Sequence, residues 1–313
     1  MQRELLSGNG ATDKLQFLWV ELTNQCNLQC SHCYAESGPN TFTRNALSSA
    51  QYRQVILDAY ENGCREIQFI GGEPTLNPDL PALIQLCAAL GYSLIEVFTN
   101  LTRLSDELVA CFKQNGVHVA TSVYASSAEI HDSITQLAGS FSHTVRNIRR
   151  LSEANIPIRA GIIEMMENAR QTESTIRFLN GLGVQKIGTD RVRQFGRGGT
   201  SAQGDLGELC GQCADSILCV GSDGKVSPCI MSKLWSVGSL LDTSLNELLT
   251  SANLMRIRGQ IHDGTIQRRK HGSQADIHAI CDPKTCGPYS TCTPTTGPGP
   301  CGPSGCTPCF PKG

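Results

Sequence analysis

The sequence predicts an α/β protein, an open, partial (β/α)6 TIM-like barrel followed by a small cysteine-rich region. Three observations carry this prediction. Over residues 15–196 short apolar runs alternate with amphipathic stretches, the pattern of a parallel sheet with helical crossovers. Six such units are present, too few for a closed eight-unit barrel. Past Gly196 the alternation stops and the composition turns to glycine and cysteine.

The elements follow in order. Strands are predicted at Leu15–Thr23, Glu66–Ile70, Leu94–Thr99, His118–Tyr124, Ile158–Met165 and Gln185–Arg193. Between them the 3.6-residue period predicts helices near 48–62, 79–90, 105–115, 142–154 and 172–182. Ser48–Ser49 and Ser105–Asp106 are expected caps, and Gly63, Gly91, Gly116 and Gly183 fall where helices should end. Residues 1–14 read as an N-terminal extension, 15–196 as the barrel, 197–204 as a linker, 205–294 as the cysteine-rich domain and 295–313 as a Cys/Pro/Gly-rich tail. Within the cysteine-rich domain, Ile217–Val220 and Lys225–Ile230 flank Gly221-Ser222-Asp223-Gly224, a hairpin signal, and Leu245–Ile261 reads as helix. From Cys281 onward six cysteines and eight prolines leave too few large apolar residues for a core, so this stretch is either tied down by metal or mobile.

Composition narrows the function classes. With 40% apolar residues, 17% charged residues and a net charge of −2, neither a nucleic acid nor an anionic membrane is the expected partner. No window of about 18 apolar residues is present, and the N-terminus lacks a secretory signal. A cytoplasmic protein is therefore expected, and its 16 cysteines read as metal ligands or redox centres more readily than as disulfides.

Cys26, Cys30 and Cys33 form a C-x3-C-x2-C motif directly after the first strand. Three thiolates can each hold one iron of a cuboidal cluster and leave the fourth iron open. The competing reading is a zinc loop, but structural zinc asks for four protein ligands and no fourth is obvious. Gly71-Gly72-Glu73-Pro74 follows the second strand, where two glycines let a backbone come close to a ligand.

With Tyr34 after the triplet and Gly71–Pro74 after the next strand, the sequence resembles the radical S-adenosylmethionine superfamily. The resemblance implies a [4Fe–4S] cluster whose open iron binds S-adenosylmethionine and an electron donor such as flavodoxin or ferredoxin. It also implies a 5′-deoxyadenosyl radical that takes a hydrogen atom from substrate. By position it assigns Gly71, Gly72 and Glu73 to the methionine amino group and Tyr34 to the adenine, and counts Pro74 among the cofactor residues. Asn100 counts among the cofactor residues, Ser122 is assigned to the ribose or carboxylate, and Ile163 and Glu164 to adenine or substrate. Two positions depart from the family pattern. Thr99-Asn100-Leu101 stands where relatives often have Thr-Asn-Gly, and Thr135 stands where many have an arginine for the cofactor carboxylate. Arg159, Arg191 and Arg193 are the candidate substitutes.

Cys210, Cys213 and Gly224-x4-Cys229 resemble the front half of the SPASM extension, which implies one or two auxiliary iron–sulfur clusters. Cys281, Cys286 and Cys292 are the further expected ligands, although their spacing matches the back half only in pieces; for the tail, a flexible metal-binding segment unrelated to catalysis is the alternative. Cys64, Cys87, Cys111 and Cys219 read as small core residues. Relatives of this kind modify ribosomally made peptides by crosslinking, thioether formation or epimerisation. A peptide substrate, held by a separate leader-binding protein or by the barrel itself, is the first expectation. Oxidation or rearrangement of a sugar or nucleoside is the second, and a non-catalytic zinc or iron–sulfur protein the third.

Overall fold

The computed structural model describes residues 14–41, 47–199 and 204–271, with side chains to residue 264. Cys281, Cys286, Cys292, the tail and most of the N-terminal extension lie outside the described residues.

Six parallel strands alternate with helices: β1 Phe17–Glu21, α1 Ser49–Glu61, β2 Glu66–Ile70, α2 Leu80–Leu90, β3 Leu94–Phe98, α3 Asp106–Gln114, β4 His118–Ser122, α4 Ala128–Thr135, α5 Ser140–Glu153, β5 Ile158–Glu164, α6 Thr172–Gly181 and β6 Lys186–Arg191. Then come β7 Ile217–Val220, β8 Lys225–Ser227, β9 Gly238–Ser239, α7 Leu245–Leu249 and α8 Ala252–His271. Local chemistry sets the helix ends. Ser48 and Gln51 close a reciprocal cap on α1, and the Ser105 hydroxyl accepts from Leu108 N at the start of α3. All four glycines expected at helix ends adopt left-handed φ, with Gly91 ending α2 at 86°. The helix expected over Leu245–Ile261 breaks into α7 and α8 around Thr250 and Ser251, because Ser244 and Glu247 cap a first short helix.

The strands form one sheet in the order β6-β5-β4-β3-β2-β1-β7-β8-β9. The hairpin of the cysteine-rich region is therefore an extension of the barrel sheet. Its first strand pairs parallel with β1, Phe17 opposite Ile217 and Val20 opposite Val220, and only β8 and β9 turn antiparallel. Phe69, Ile67, Leu83, Ile84 and Phe112 are fully buried in the core, and Trp19, equally buried, lies on the opposite face of the sheet in register with Gln68. Cys64, Cys87 and Cys219 are 0% exposed and Cys111 7%, core residues as expected. Within the sheet Arg159 of β5 grips Glu96, midway along β3, with two 2.7 Å bonds, and Gln68, midway along β2, donates to the same carboxylate. This network fixes the spacing of three strands whose carboxyl ends carry the site.

Candidate active site

After β1 the chain enters a loop that carries Cys26, Cys30 and Cys33 and leans on four elements. From β2, Gly72 N donates to Thr23 O at 2.7 Å and Glu73 N to Gln25 O at 2.9 Å. At the end of α4, Thr135 O and Ile134 O accept from Gln29 N and Ser31 N. Past β3, Asn100 bridges the side chains of Asn27 and Thr102, with its amide 3.7 Å from Cys26 Sγ. Past β6, Arg197 reaches the carbonyls of Cys30, Cys33 and Ser37.

Gly71 and Gly72 make this closeness possible. A Cβ on Gly71 would sit 2.4 Å from Thr23 O, and one on Gly72 2.1 Å from Gln25 O. The glycines serve the approach of β2 to the cysteine loop, a reason different from the ligand contact expected of them. Glu73 lies behind this strap, fully buried. One carboxylate oxygen accepts from Thr75 N, Thr75 Oγ1 and Thr99 Oγ1, and the other accepts from Asn100 N. Burial pushes its carboxyl up, and the four donors pull it back. Glu73 and Pro74 thus join the ends of β2 and β3 and are not among the residues that line the pocket.

The loop forms one wall of a pocket at the carboxyl ends of the strands, where parallel α/β folds place ligands. Cys26, Cys30, Cys33, Tyr34, Gly71, Gly72, Asn100, Ser122 and Ile163 all line it. Glu164 does not. Successive strand residues face opposite sides, so Ile163 turns inward and Glu164 is exposed and accepts from Thr172 Oγ1. The pocket suits a polar ligand beside a metal centre. His32 Nδ1, Ser37 Oγ and Ser122 Oγ are buried on its wall without a hydrogen-bond partner among the described residues. The three sulfurs are soft donors of the kind iron–sulfur clusters use. Burial pushes the Cys30 thiol up to about 12 and Cys26 further.

No candidate arginine is left over for a carboxylate. Arg159 is spent on Glu96 outside the pocket. Arg191 and Arg193 line the pocket but pair with Glu208 and Asp190. Thr135 shares a 2.7 Å hydrogen bond with Ser140 Oγ. Leu101, at the departure from Thr-Asn-Gly, holds a left-handed φ of 56° while wholly buried. The cost of that left-handed backbone is offset by the side chain's packing.

On the other side of Tyr34, Lys233 Nζ lies 2.6 Å from buried Glu21 Oε1 and 5.5 Å from the Tyr34 ring centre. Beyond it Cys210, Cys213 and Cys229 come together. All three are buried, Cys213 Sγ lies 3.1 Å from Cys229 Sγ, and contacts from Cys210 and Cys229 together with burial hold the Cys213 thiol well above its usual range. The structure also brings in residues the motifs did not single out: His32, Ser37, His131, Arg197 and Lys233. His32 sits inside the cysteine motif, and Arg197 was legible only as an arginine among glycines.

Comparison with known proteins agrees with this arrangement. The model of the radical SAM superfamily matches residues 20–179, just over half of the chain, and that of an iron–sulfur cluster-binding domain, SPASM, matches residues 210–286. The antilisterial bacteriocin subtilosin biosynthesis protein AlbA of Bacillus subtilis is 29% identical over 181 residues, 57% of this chain and 40% of AlbA. Fe-coproporphyrin III synthase of Methanosarcina barkeri is 28% identical over 207 residues, 66% of this chain and 51% of the synthase. The chain thus spans about half the length of the curated relatives it matches. The crystal structure of Streptococcus suis SuiB bound to S-adenosylmethionine shares the fold, with a TM-score of 0.66 at 14% identity over 80% of this chain and 68% of SuiB. Among the described residues no helix is long and apolar enough to cross a membrane. On the match over residues 20–179, the chain belongs to the radical SAM superfamily.

Proposed function

We propose that the protein is a radical S-adenosylmethionine enzyme that modifies a ribosomally made peptide. The observation that carries this reading is the pocket, which gathers Cys26, Cys30 and Cys33 and three unpartnered buried polar atoms at the carboxyl ends of the strands. Cys26, Cys30 and Cys33 would hold a [4Fe–4S] cluster. Gly71, Gly72, Tyr34, Asn100, Ser122 and Ile163 would line the S-adenosylmethionine site, joined by His32 and Ser37. Bound there, cluster and cofactor supply an electron and a sulfonium whose cleavage yields the radical that takes a hydrogen atom from substrate.

The protein's own residues do the rest. The glycine strap and Asn100 hold the cysteine loop against β2 and β3, and the Ser122 hydroxyl, buried without a partner among the described residues, would accept from or donate to a polar ligand. Cys210, Cys213 and Cys229 would anchor an auxiliary cluster, with Cys281, Cys286 and Cys292 as candidate further ligands. Such a cluster can take the electron a substrate radical must lose in a net oxidation such as a crosslink. The peptide class is supported by the relation to AlbA, whose name is that of a bacteriocin biosynthesis protein. A flavodoxin or ferredoxin as donor, a separate leader-binding protein and a cytoplasmic site of action complete the proposal.

Anaerobic reconstitution with iron and sulfide tests it. The protein should release 5′-deoxyadenosine from S-adenosylmethionine and dithionite, and Cys26→Ala/Cys30→Ala/Cys33→Ala should abolish this while iron stays at the second site. A protein that takes up zinc and yields no 5′-deoxyadenosine is not a radical enzyme. A peptide encoded beside the gene should lose two hydrogens, or take up solvent deuterium at an unchanged bond pattern if it is epimerised. Turnover of a sugar, nucleoside or porphyrin with peptides left untouched would replace the substrate assignment.

A further inference from the structure

Residues 197–204, expected to be a linker, begin as a fitted strap. Phe195 is buried against Trp235, and the chain then crosses the outside of the cysteine loop. A Cβ on Gly196 would meet Tyr34 O at 2.4 Å and Cys33 O at 2.5 Å, and one on Gly198 would meet Arg193 O at 2.7 Å. Only glycines on either side let the segment lie this close. Between them Arg197 points into the loop. Its backbone N donates to Cys33 O at 3.0 Å, its Nε to Cys30 O at 2.8 Å and its Nη2 to Ser37 O at 2.7 Å. A guanidinium is the side chain suited to this task, since its rigid fork can satisfy two carbonyls at once while keeping its charge. No carboxylate is paired with Arg197 among the described residues, in contrast to Arg159, Arg191 and Arg193.

We infer that Arg197 is a positioning residue for the cluster proposed on Cys26, Cys30 and Cys33, holding the loop in its ligating shape and placing a fixed positive charge beside the thiolates. The inference rests on the reading of that triplet as cluster ligands. Two consequences follow. Without the side chain, two charge-assisted hydrogen bonds to the loop are lost, and the cluster should release iron on the order of ten-fold faster. Without the charge, the reduced cluster loses a stabilising neighbour, and its midpoint potential should fall.

The full chain, reconstituted anaerobically, should be compared as wild type, Arg197→Gln and Arg197→Lys. Iron release is followed under a chelator. The potential is read by a redox titration monitored by electron paramagnetic resonance, on the cluster whose signal changes when S-adenosylmethionine is added. Arg197→Gln should lose iron faster and show a lower potential. Arg197→Lys should restore the potential but not the iron retention, because it keeps the charge and loses the fork. A merely structural role would leave the potential of both variants unmoved, and wild-type iron retention and potential in Arg197→Gln would overturn the inference outright. If Arg197→Gln does not fold, Arg197→Lys decides alone: wild-type iron release in that variant overturns the inference. A wild-type protein with no S-adenosylmethionine-responsive cluster would instead overturn the underlying reading and this one with it.

Discussion

Replacing Gly72 by alanine adds one methyl group at the most crowded glycine among the described residues. The new carbon would stand 2.1 Å from Gln25 O and 2.6 Å from Gln25 C, against an ordinary contact of 3.4–4 Å. Both neighbours are backbone, so no rotamer change can absorb the overlap. Either the cysteine loop or the end of β2 must move by roughly 1 Å. That movement breaks the bonds from Gly72 N to Thr23 O and from Glu73 N to Gln25 O. Each contributes about 1 kcal/mol net and leaves a half-buried or buried group costing about as much again or more, so Gly72→Ala should destabilise by about 3–5 kcal/mol. Gly181→Ala is the control, because at the end of α6 an added Cβ meets nothing within 4 Å. It should be neutral or stabilising by up to about 1 kcal/mol. Urea unfolding of the three proteins measures the difference, and iron per chain after reconstitution measures the displacement of the loop. If Gly72→Ala unfolds within 1 kcal/mol of wild type, the approach of strap and loop is looser than described and the explanation for the glycine pair is wrong.

Two further outcomes can be measured. Arg159→Met strands the buried Glu96 carboxylate with Gln68 as its remaining partner, which should cost about 2–4 kcal/mol, while Arg159→Met/Glu96→Gln should recover at least half of that; a double variant no better than the single in urea unfolding would show that the charge is not what is stranded. His131 is buried, accepts from Tyr124 N, and has its pKa lowered by burial to about 4. The unfolded chain therefore binds the extra proton between about pH 6.5 and 4, and stability present above 6.5 is lost as the pH falls through that window, by about 2 kcal/mol at pH 5 from this residue. His131→Gln should remove that part of the pH slope in unfolding experiments at pH 7.5 and 5, and an unchanged slope would mean that His131 titrates normally.

The barrel strands were legible because most are short runs rich in apolar residues set between helical stretches, signals that depend only on near neighbours; β6, Lys-Ile-Gly-Thr-Asp-Arg, carries the weakest such signal. The predicted Glu66–Ile70 coincides with β2, and Leu94–Thr99 overshoots β3 by one residue. Helix α4 was missed: its eight residues are mixed in character, and its cap Ser127 makes no side-chain bond to announce it. Yet α4 presents Ile134 O and Thr135 O to the cysteine loop, so an anchor of the site was hidden with it. Of Ile163 and Glu164, both expected near adenine or substrate, the two-residue period of a strand turns only Ile163 to the pocket side. The strap at 196–199 was taken for a linker because glycine content alone does not separate a flexible segment from one pressed against another backbone. The hairpin at Gly221–Gly224 was a local signal, but its docking on β1 is a contact across the whole barrel, which periodicity does not encode.

That docking has a consequence for how the chain is made. Phe17 and Ile217 are partners in the sheet, yet the ribosome supplies them far apart in time. At typical synthesis rates roughly 10–40 s separate the two, and until then β1 carries a bare row of amide and carbonyl groups on one side. The nascent barrel is therefore an adhesive object, a template for any extended segment that meets it. A fragment ending before β7 would keep that condition for good, so expression of residues 15–196 alone should give aggregates where the longer chain gives protein in solution.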